Sequence, residues 1–300
     1  MTRIITEIIN MITKRLHEYA KLMRMDKPIG TYLLLFPTLW GLWLAGNGAP
    51  PVYLVIIFGL GVFLMRSAGC VMNDIVDRNF DPHVSRTQSR PLAAKTITVF
   101  EAIILLIILL VLSLYLATFL NMLTLILSIP ALLLALSYPF MKRYHSLPQA
   151  HLGLAFGFGI PMSYAAIQNN IPLEAWLLLL INIIWTLIYD TQYAMSDRCD
   201  DKKIGVKSSA LLFEKWLGKH DYLIIIILQI SMLIGLYVLG NLRGFGMIWH
   251  GVLVCVAVLF CKHTLWVRSH QVAACFNAFL DNSKIGLIIF IGILLCLLPN

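Results

Sequence analysis

The chain has 300 residues, 59% of them hydrophobic and 13% charged, with a mean hydropathy of +0.82 and a formal net charge of +8. A soluble domain carries about twice that share of charged residues, so composition excludes the pair of soluble domains that length alone would allow. The excess of positive charge follows membrane topology and anionic lipid, and does not point to nucleic acid.

Residues 1–23 repeat apolar positions at Ile4, Ile8, Ile12, Tyr19 and Met23 between basic residues. That spacing predicts an amphipathic helix lying in the membrane interface. Glu7 and Glu18, and the lack of a compact apolar run, argue against a cleavable signal. Residues 24–300 then read as one transmembrane domain. Nine apolar stretches follow, at 29–46, 52–71, 97–117, 120–140, 149–167, 173–189, 222–241, 247–262 and 284–298. Each approaches the roughly 20 residues that a helix needs to cross about 30 Å of hydrocarbon. No two-residue alternation marks a barrel, so the expected fold is an all-α membrane protein, a bundle of nine transmembrane helices. Lys and Arg concentrate before the first span and after spans two, four, six and eight; Arg243 alone lies on the other side, and Arg66 falls inside a span. The basic side is therefore expected to be cytoplasmic, with the N-terminus inside and the C-terminus outside. The six cysteines and eight histidines show no metal-ligand spacing, and no zinc site is expected.

Two of the basic-side segments also concentrate acid. NDIVDRNFD, residues 73–81, follows the second span, and YDTQYAMSDRCDD, residues 189–201, follows the sixth. On an ideal helix Arg66, Cys70, Asn73, Asp74, Asp77 and Asp81 fall within an arc of about 100°, and Asp190, Tyr193, Asp197 and Asp201 within about 80°. Carboxylates at a helix C-terminus face the negative end of its dipole and repel one another. A hard divalent cation reverses that cost, and Mg²⁺ in particular leaves part of its shell to substrate phosphates. A single cluster is equally well explained as a solvated helix end; two in matching positions favour Mg²⁺ and an anion such as diphosphate. Arg66 must pair or be solvated inside the membrane. Arg24, Lys27, Arg86, Arg90, Lys142, Arg143 and Lys207 lie on the same side and offer phosphate or carboxylate partners.

At these residues the chain resembles the UbiA superfamily of membrane prenyltransferases, most closely the bacterial 4-hydroxybenzoate polyprenyltransferases. NDIVDRNFD resembles that family's NDxxDxxxD motif, and DTQYAMSDRCDD its second, DxxYxxxD-type motif. RMDKPIGTYLLLFPTLWGLW at 24–43, SYPFMKRY at 137–144 and DDKKIGVKSSALLF at 200–213 extend the likeness over residues 20–298 or so. The resemblance implies a bundle around a central cavity in a bacterial inner membrane, capped by cytoplasmic loops. It further implies that Asn73, Asp74, Asp77, Asp81, Asp190 and Asp197 bind Mg²⁺ and polyprenyl diphosphate. The implied reaction joins the prenyl chain to 4-hydroxybenzoate ortho to its hydroxyl, a step of ubiquinone biosynthesis.

Within that scheme Asp190 orients or deprotonates the phenol and Arg66 stabilises the leaving diphosphate. Lys142, Arg143, Asn73 and Tyr193 are candidate substrate contacts, and Arg24 is the expected partner of the benzoate carboxylate. Gly153, Gly157 and Gly159 with Pro161 are expected to allow a kink or close helix approach. Two rivals remain at this stage: a prenyltransferase for another acceptor, such as a naphthoate, homogentisate or haem, and an ion-coupled transporter, whose acids belong near the midplane.

Overall fold

The computed structural model describes residues 2–83 and 87–298, so Arg86 lies outside the described residues, as do the side chains of Ile4 and Ile8. Every regular element among them is helical. The helices are α1 (Thr2–Leu22), α2 (Ile29–Ala45), α3 (Val52–Asp77), α4 (Val99–Ala117), α5 (Met122–Tyr144) and α6 (Pro148–Gly157). They continue as α7 (Gly159–Gln168), α8 (Leu173–Ile204), α9 (Ser209–Leu217), α10 (Tyr222–Leu242), α11 (Met247–Arg268) and α12 (Val272–Cys296). Among the described residues, eight helical stretches are long and apolar enough to cross a membrane, α6 and α7 counting together as Pro148–Gln168. The expected first span, α2, has 17 residues and is shorter.

Local chemistry sets the boundaries. Thr98 and Glu101 form a reciprocal capping box at the start of α4, and Asn121 and Ser208 cap α5 and α9. Gly205 ends α8 at φ +71°, a left-handed turn that a β-carbon disfavours. Phe158, between Gly157 and Gly159, breaks the fifth span in two. These glycines also bring helices together: a Cβ on Gly153 would lie 2.9 Å from Ile183 Cα in α8, and one on Gly159 2.7 Å from Thr38 Oγ1 in α2.

Two boundaries differ from expectation. Helix α8 continues to Ile204, so its 32 residues reach about 48 Å. Residues 263–283, expected as a loop, are mostly helix, with only 269–271 between α11 and α12. Polar Asn277, Asp281, Asn282, Ser283 and Lys284 hide the span from a hydropathy reading. Asp281 and Asn282 are buried against other helices, where their polarity is satisfied.

Helix α8 is the hub, packing against α6, α7, α9, α10 and α12, while α2 packs against α3, α7 and α12. An aromatic ladder climbs α8 at four-residue spacing through Trp185, Tyr189 and Tyr193. Trp185 packs on Trp40 of α2 with ring centroids 5.2 Å apart, and Tyr193 on Phe279 of α12 at 4.8 Å. Trp185 Nε1 donates to Asn282 Oδ1 at 3.1 Å, and Asn282 Nδ2 donates to Gln192 Oε1 at 2.7 Å. Helix α4 buries Ala102 and Leu109, packs Leu105, Leu106 and Leu110 against the same cluster, and exposes Ile103, Ile104, Ile108 and Leu112, as a lipid-facing helix does.

Helix α1 has two halves. Tyr19 and Leu22 pack with Ala68, Val71 and Ala102, whereas Ile9, Ile12 and Leu16 are exposed. Arg15 and Tyr19 both reach Glu101, and Glu18 accepts from the Thr96 hydroxyl. That hydrogen bond and the Lys21 ammonium hold the Glu18 carboxyl below its ordinary range. The chain leaving α1 turns at Arg24, at φ +59°.

Candidate active site

The left-handed turn aims Arg24 at α3. Its Nη2 donates to Asp74 Oδ1 at 2.6 Å, and its Nη1 to the Lys21 carbonyl at 2.9 Å. Arg90 approaches the same carboxylate from the segment after α3, at 3.2 Å from Asp74 Oδ1 and 2.9 Å from Asp81 Oδ2. Asp74 is fully buried, and its Oδ2 makes no hydrogen bond among the described residues. Asp81 does not continue the α3 face as the ideal-helix geometry implied. Helix α3 ends at Asp77, and Asp81 opens a short 3₁₀ turn with Pro82 and His83. Proline disfavours helical backbone in the residue before it, so Pro82 is the sequence signal for this break. Arg90 nevertheless draws Asp81 back beside Asp74.

Asp77 and Arg143 sit beside this group. Arg143 Nη2 is 3.7 Å from Asp77 Oδ1, donates to the Val76 carbonyl at 3.0 Å, and its guanidinium lies 5.1 Å from the Phe80 ring centre. It thereby satisfies a carbonyl at the α3 C-terminus. Arg66 is held differently from the acid pairing that was one sequence-level alternative. Its Nη1 contacts Cys70 Sγ, its guanidinium faces Phe156 at 5.9 Å, and its Nε is buried without a hydrogen-bond partner among the described residues. Gly30 makes room for it, since a Cβ there would lie 2.3 Å from Arg66 Nη2.

Arg24, Arg66, Asn73, Asp74 and Arg90 face a cavity of about 1060 Å³, together with Lys142, Asp190 and Tyr193. Away from this charged end the walls are apolar, with Leu110, Leu114 and Leu116 of α4 and Ala131, Leu132 and Ala135 of α5. Asp197 and Asp201 line a small adjoining space of about 50 Å³, whose walls share Tyr138, Lys142, Asp190 and Tyr193 with the main cavity. The two acidic segments thus meet around one shared wall. Asp77, Asp81, Asp197 and Arg143 stand behind the main cavity rather than on it. Tyr138 occupies a central position that the sequence reading did not single out, although it lies within SYPFMKRY; Arg90, one of the seven basic residues named as anion partners, reaches the same cavity.

A divalent cation suits this donor set. Asp74 offers a buried carboxylate oxygen with no competing donor among the described residues, and Asn73 and Asp190 share the cavity wall with it. Among the described residues, no three His, Cys, Asp or Glu side chains converge into a ready cage. Mg²⁺ needs only one or two carboxylates when phosphate oxygens and water complete its shell.

Residues 34–285 match the model of the UbiA prenyltransferase family. The chain belongs to that family. It is 51% identical over 287 residues to the 4-hydroxybenzoate octaprenyltransferase of Aeromonas salmonicida (strain A449), covering 95% of this chain and 98% of that protein. The 4-hydroxybenzoate octaprenyltransferase of Yersinia pseudotuberculosis serotype O:1b (strain IP 31758) is 50% identical over 277 residues, 92% of this chain and 95% of that one. Among solved structures, the apo UbiA homologue from Aeropyrum pernix K1 superposes with a TM-score of 0.76 at 24% identity, covering 88% of this chain and 97% of that chain. A UbiA homologue from Archaeoglobus fulgidus bound to GPP and Mg²⁺ superposes with a TM-score of 0.71 at 17% identity, over 93% and 99% of the two chains. The UbiA fold accounts for the all-helical membrane bundle, and a transporter is no longer a competing class.

Proposed function

We propose that this UbiA-family protein transfers a polyprenyl group from polyprenyl diphosphate to the ring carbon ortho to the hydroxyl of 4-hydroxybenzoate. Diphosphate is released, and the step belongs to ubiquinone biosynthesis. One observation carries the chemistry: a cavity charged at one end and apolar along its α4–α5 walls, matching a donor with an anionic head and a hydrocarbon tail. Near-full-length relatives named for this reaction support the choice of acceptor.

In this reading Asn73, Asp74, Asp77, Asp81, Asp190 and Asp197 hold Mg²⁺, a choice supported by the donor chemistry and by the Archaeoglobus relative with its bound GPP and Mg²⁺. Bound there, the cation neutralises charge that develops on the departing diphosphate. Arg66, whose Nε has no hydrogen-bond partner among the described residues, and Lys142 and Arg143 bind the diphosphate oxygens. The allylic C–O bond breaks with its electron pair going to diphosphate, the ring carbon supplies the pair for the new C–C bond, and the ring proton leaves. Asp190 accepts the phenolic or ring proton, and Tyr193 beside it forms the wall against the aromatic acceptor. Arg24 pairs with the benzoate carboxylate, whose burial needs a cationic partner. Residues 1–23 form an interfacial helix and 24–300 the catalytic domain, with the site on the cytoplasmic side of a bacterial inner membrane.

The test uses membranes containing the full chain, incubated with Mg²⁺, a prenyl diphosphate and a panel of aromatic acids, with products identified by mass. Prenylated 4-hydroxybenzoate is the expected product. Turnover confined to another acceptor, or none at all, overturns the assignment.

A further inference from the structure

A second cluster of ionisable groups lies outside the cavity, in the groove between α11 and α12. Asp281 accepts from Lys262 Nζ at 2.9 Å and His263 Nε2 at 3.2 Å, and pairs closely with Lys284. Asp281 is buried and His263 fully enclosed, but the side chains of Lys262 and Lys284 are 43% and 63% exposed. Both lysines belong to membrane-spanning helices. Lys284 lies about 18 Å along α12 from Val272, and Lys262 about 9 Å from Arg268, the last residue of α11.

The surface around them is made for lipid. Lys284 stands at the head of an exposed apolar row, Leu287, Ile291 and Leu295, and Lys262 lies between exposed Val258 and Leu265 on α11. With His263 counted neutral, two ammonium groups and one carboxylate leave a net charge of +1 on this face. An uncompensated charge at membrane depth is costly. Lys262 gives one N–H to Asp281 Oδ2 and Lys284 pairs with Oδ1, a single carboxylate contact for each ammonium, whose three N–H groups leave donors for another anion. Lys262 Nζ also lies 4.2 Å from the ring centre of Trp266, one turn closer to the helix end, a residue type that favours the headgroup region.

We propose that the α11–α12 groove binds the phosphate headgroup of an anionic phospholipid, held between Lys262 and Lys284. One phosphodiester charge balances the +1 of the cluster, and its oxygens take the remaining ammonium donors. Long lysine stems let both heads reach toward the nearer interface while their methylenes stay in the acyl region. Asp281 and His263 hold the two lysines apart and preset their direction. The acyl chains lie along Leu287, Ile291 and Leu295.

The test is native mass spectrometry of the purified, delipidated full-length protein with phosphatidylglycerol or phosphatidylcholine. Phosphatidylglycerol adducts are expected on the unaltered protein and on Lys262→Arg/Lys284→Arg, with affinity falling by about tenfold in Lys262→Gln/Lys284→Gln. A Lys202→Gln/Lys215→Gln control, altered at two exposed lysines elsewhere, should bind like the unaltered protein. If the double glutamine variant does not insert, Lys284→Gln alone, with its mostly exposed side chain, should lose about threefold. Equal retention by the glutamine variants, or phosphatidylcholine held as tightly as phosphatidylglycerol, overturns the proposal.

Discussion

At the scale of single residues, the site keeps opposite charges in contact at one end of a large apolar cavity. Arg24 and Arg90 share Asp74 Oδ1 while Oδ2 has no partner among the described residues, so the carboxylate is poised for a cation and the guanidinium groups for an anion. Asp77→Asn and Asp197→Asn should each lower turnover by about a hundredfold or more, because each removes a charged ligand from the proposed Mg²⁺ shell. Protein level in the membrane should stay near normal, and near-normal turnover in both would make the clusters solvated helix ends. Arg24→Ala should raise the apparent KM for 4-hydroxybenzoate far more than that for the prenyl diphosphate. A loss confined to the diphosphate would exchange the proposed roles of Arg24 and Arg66. Gly30→Ala meets first the end of the Arg66 side chain, which can shift, so the thermal midpoint should hold. Turnover should nonetheless fall about tenfold, equivalent to roughly 1.4 kcal/mol, as Arg66 moves out of register.

At the scale of elements, α8 joins structure to chemistry. Its ladder of Trp185, Tyr189 and Tyr193 leads from the buried centre of the bundle to Asp190 and Asp197, so packing at Trp185 sets the height and rotation of the second acidic segment. Trp185 is fully buried against Trp40 and hydrogen-bonded to Asn282. Trp185→Ala should cost about 3–5 kcal/mol through loss of a large buried ring. Trp185→Phe should cost less, about 1–3 kcal/mol, because it keeps an aromatic ring but leaves Asn282 Oδ1 unpaired. Thermal unfolding in detergent measures both, and an alanine variant as stable as the parent would remove the ladder from the account of α8.

At the scale of the whole molecule, both acidic segments and most basic residues collect at one end of the bundle, which the proposed topology makes the cytoplasmic end, while Arg66, Lys262 and Lys284 lie within spans and Arg243 at the opposite end. In a background without the six native cysteines, Ser89→Cys and Lys215→Cys, both at exposed positions, should resist an impermeant thiol reagent in intact cells and react after lysis. Labelling from outside at either position would reverse the orientation. The same end carries α1, whose inner half is stapled to α3 and α4 and whose outer half leaves Ile9, Ile12 and Leu16 exposed, as a helix lying on a lipid surface requires.

The membrane class, the spans apart from their ends, the two acidic segments and the family resemblance were all legible along the chain, because each is a property of composition or of near neighbours. Local chemistry also sets several helix ends, such as Thr98 with Glu101 and the glycine at 205, which a span-by-span hydropathy reading does not register. What only the tertiary structure decided was which charges meet. Arg24 finds Asp74 fifty residues on, Arg143 caps a helix that ended far earlier, and Gly30 opens space for Arg66. The true length of α12 was hidden for the same reason: Asp281 and Asn282 look like loop residues until the partners on α8 and α11 that satisfy them are brought alongside. Hydropathy and periodicity report a segment's own preference for lipid or water, whereas the cost of a buried polar group depends on partners that only folding supplies.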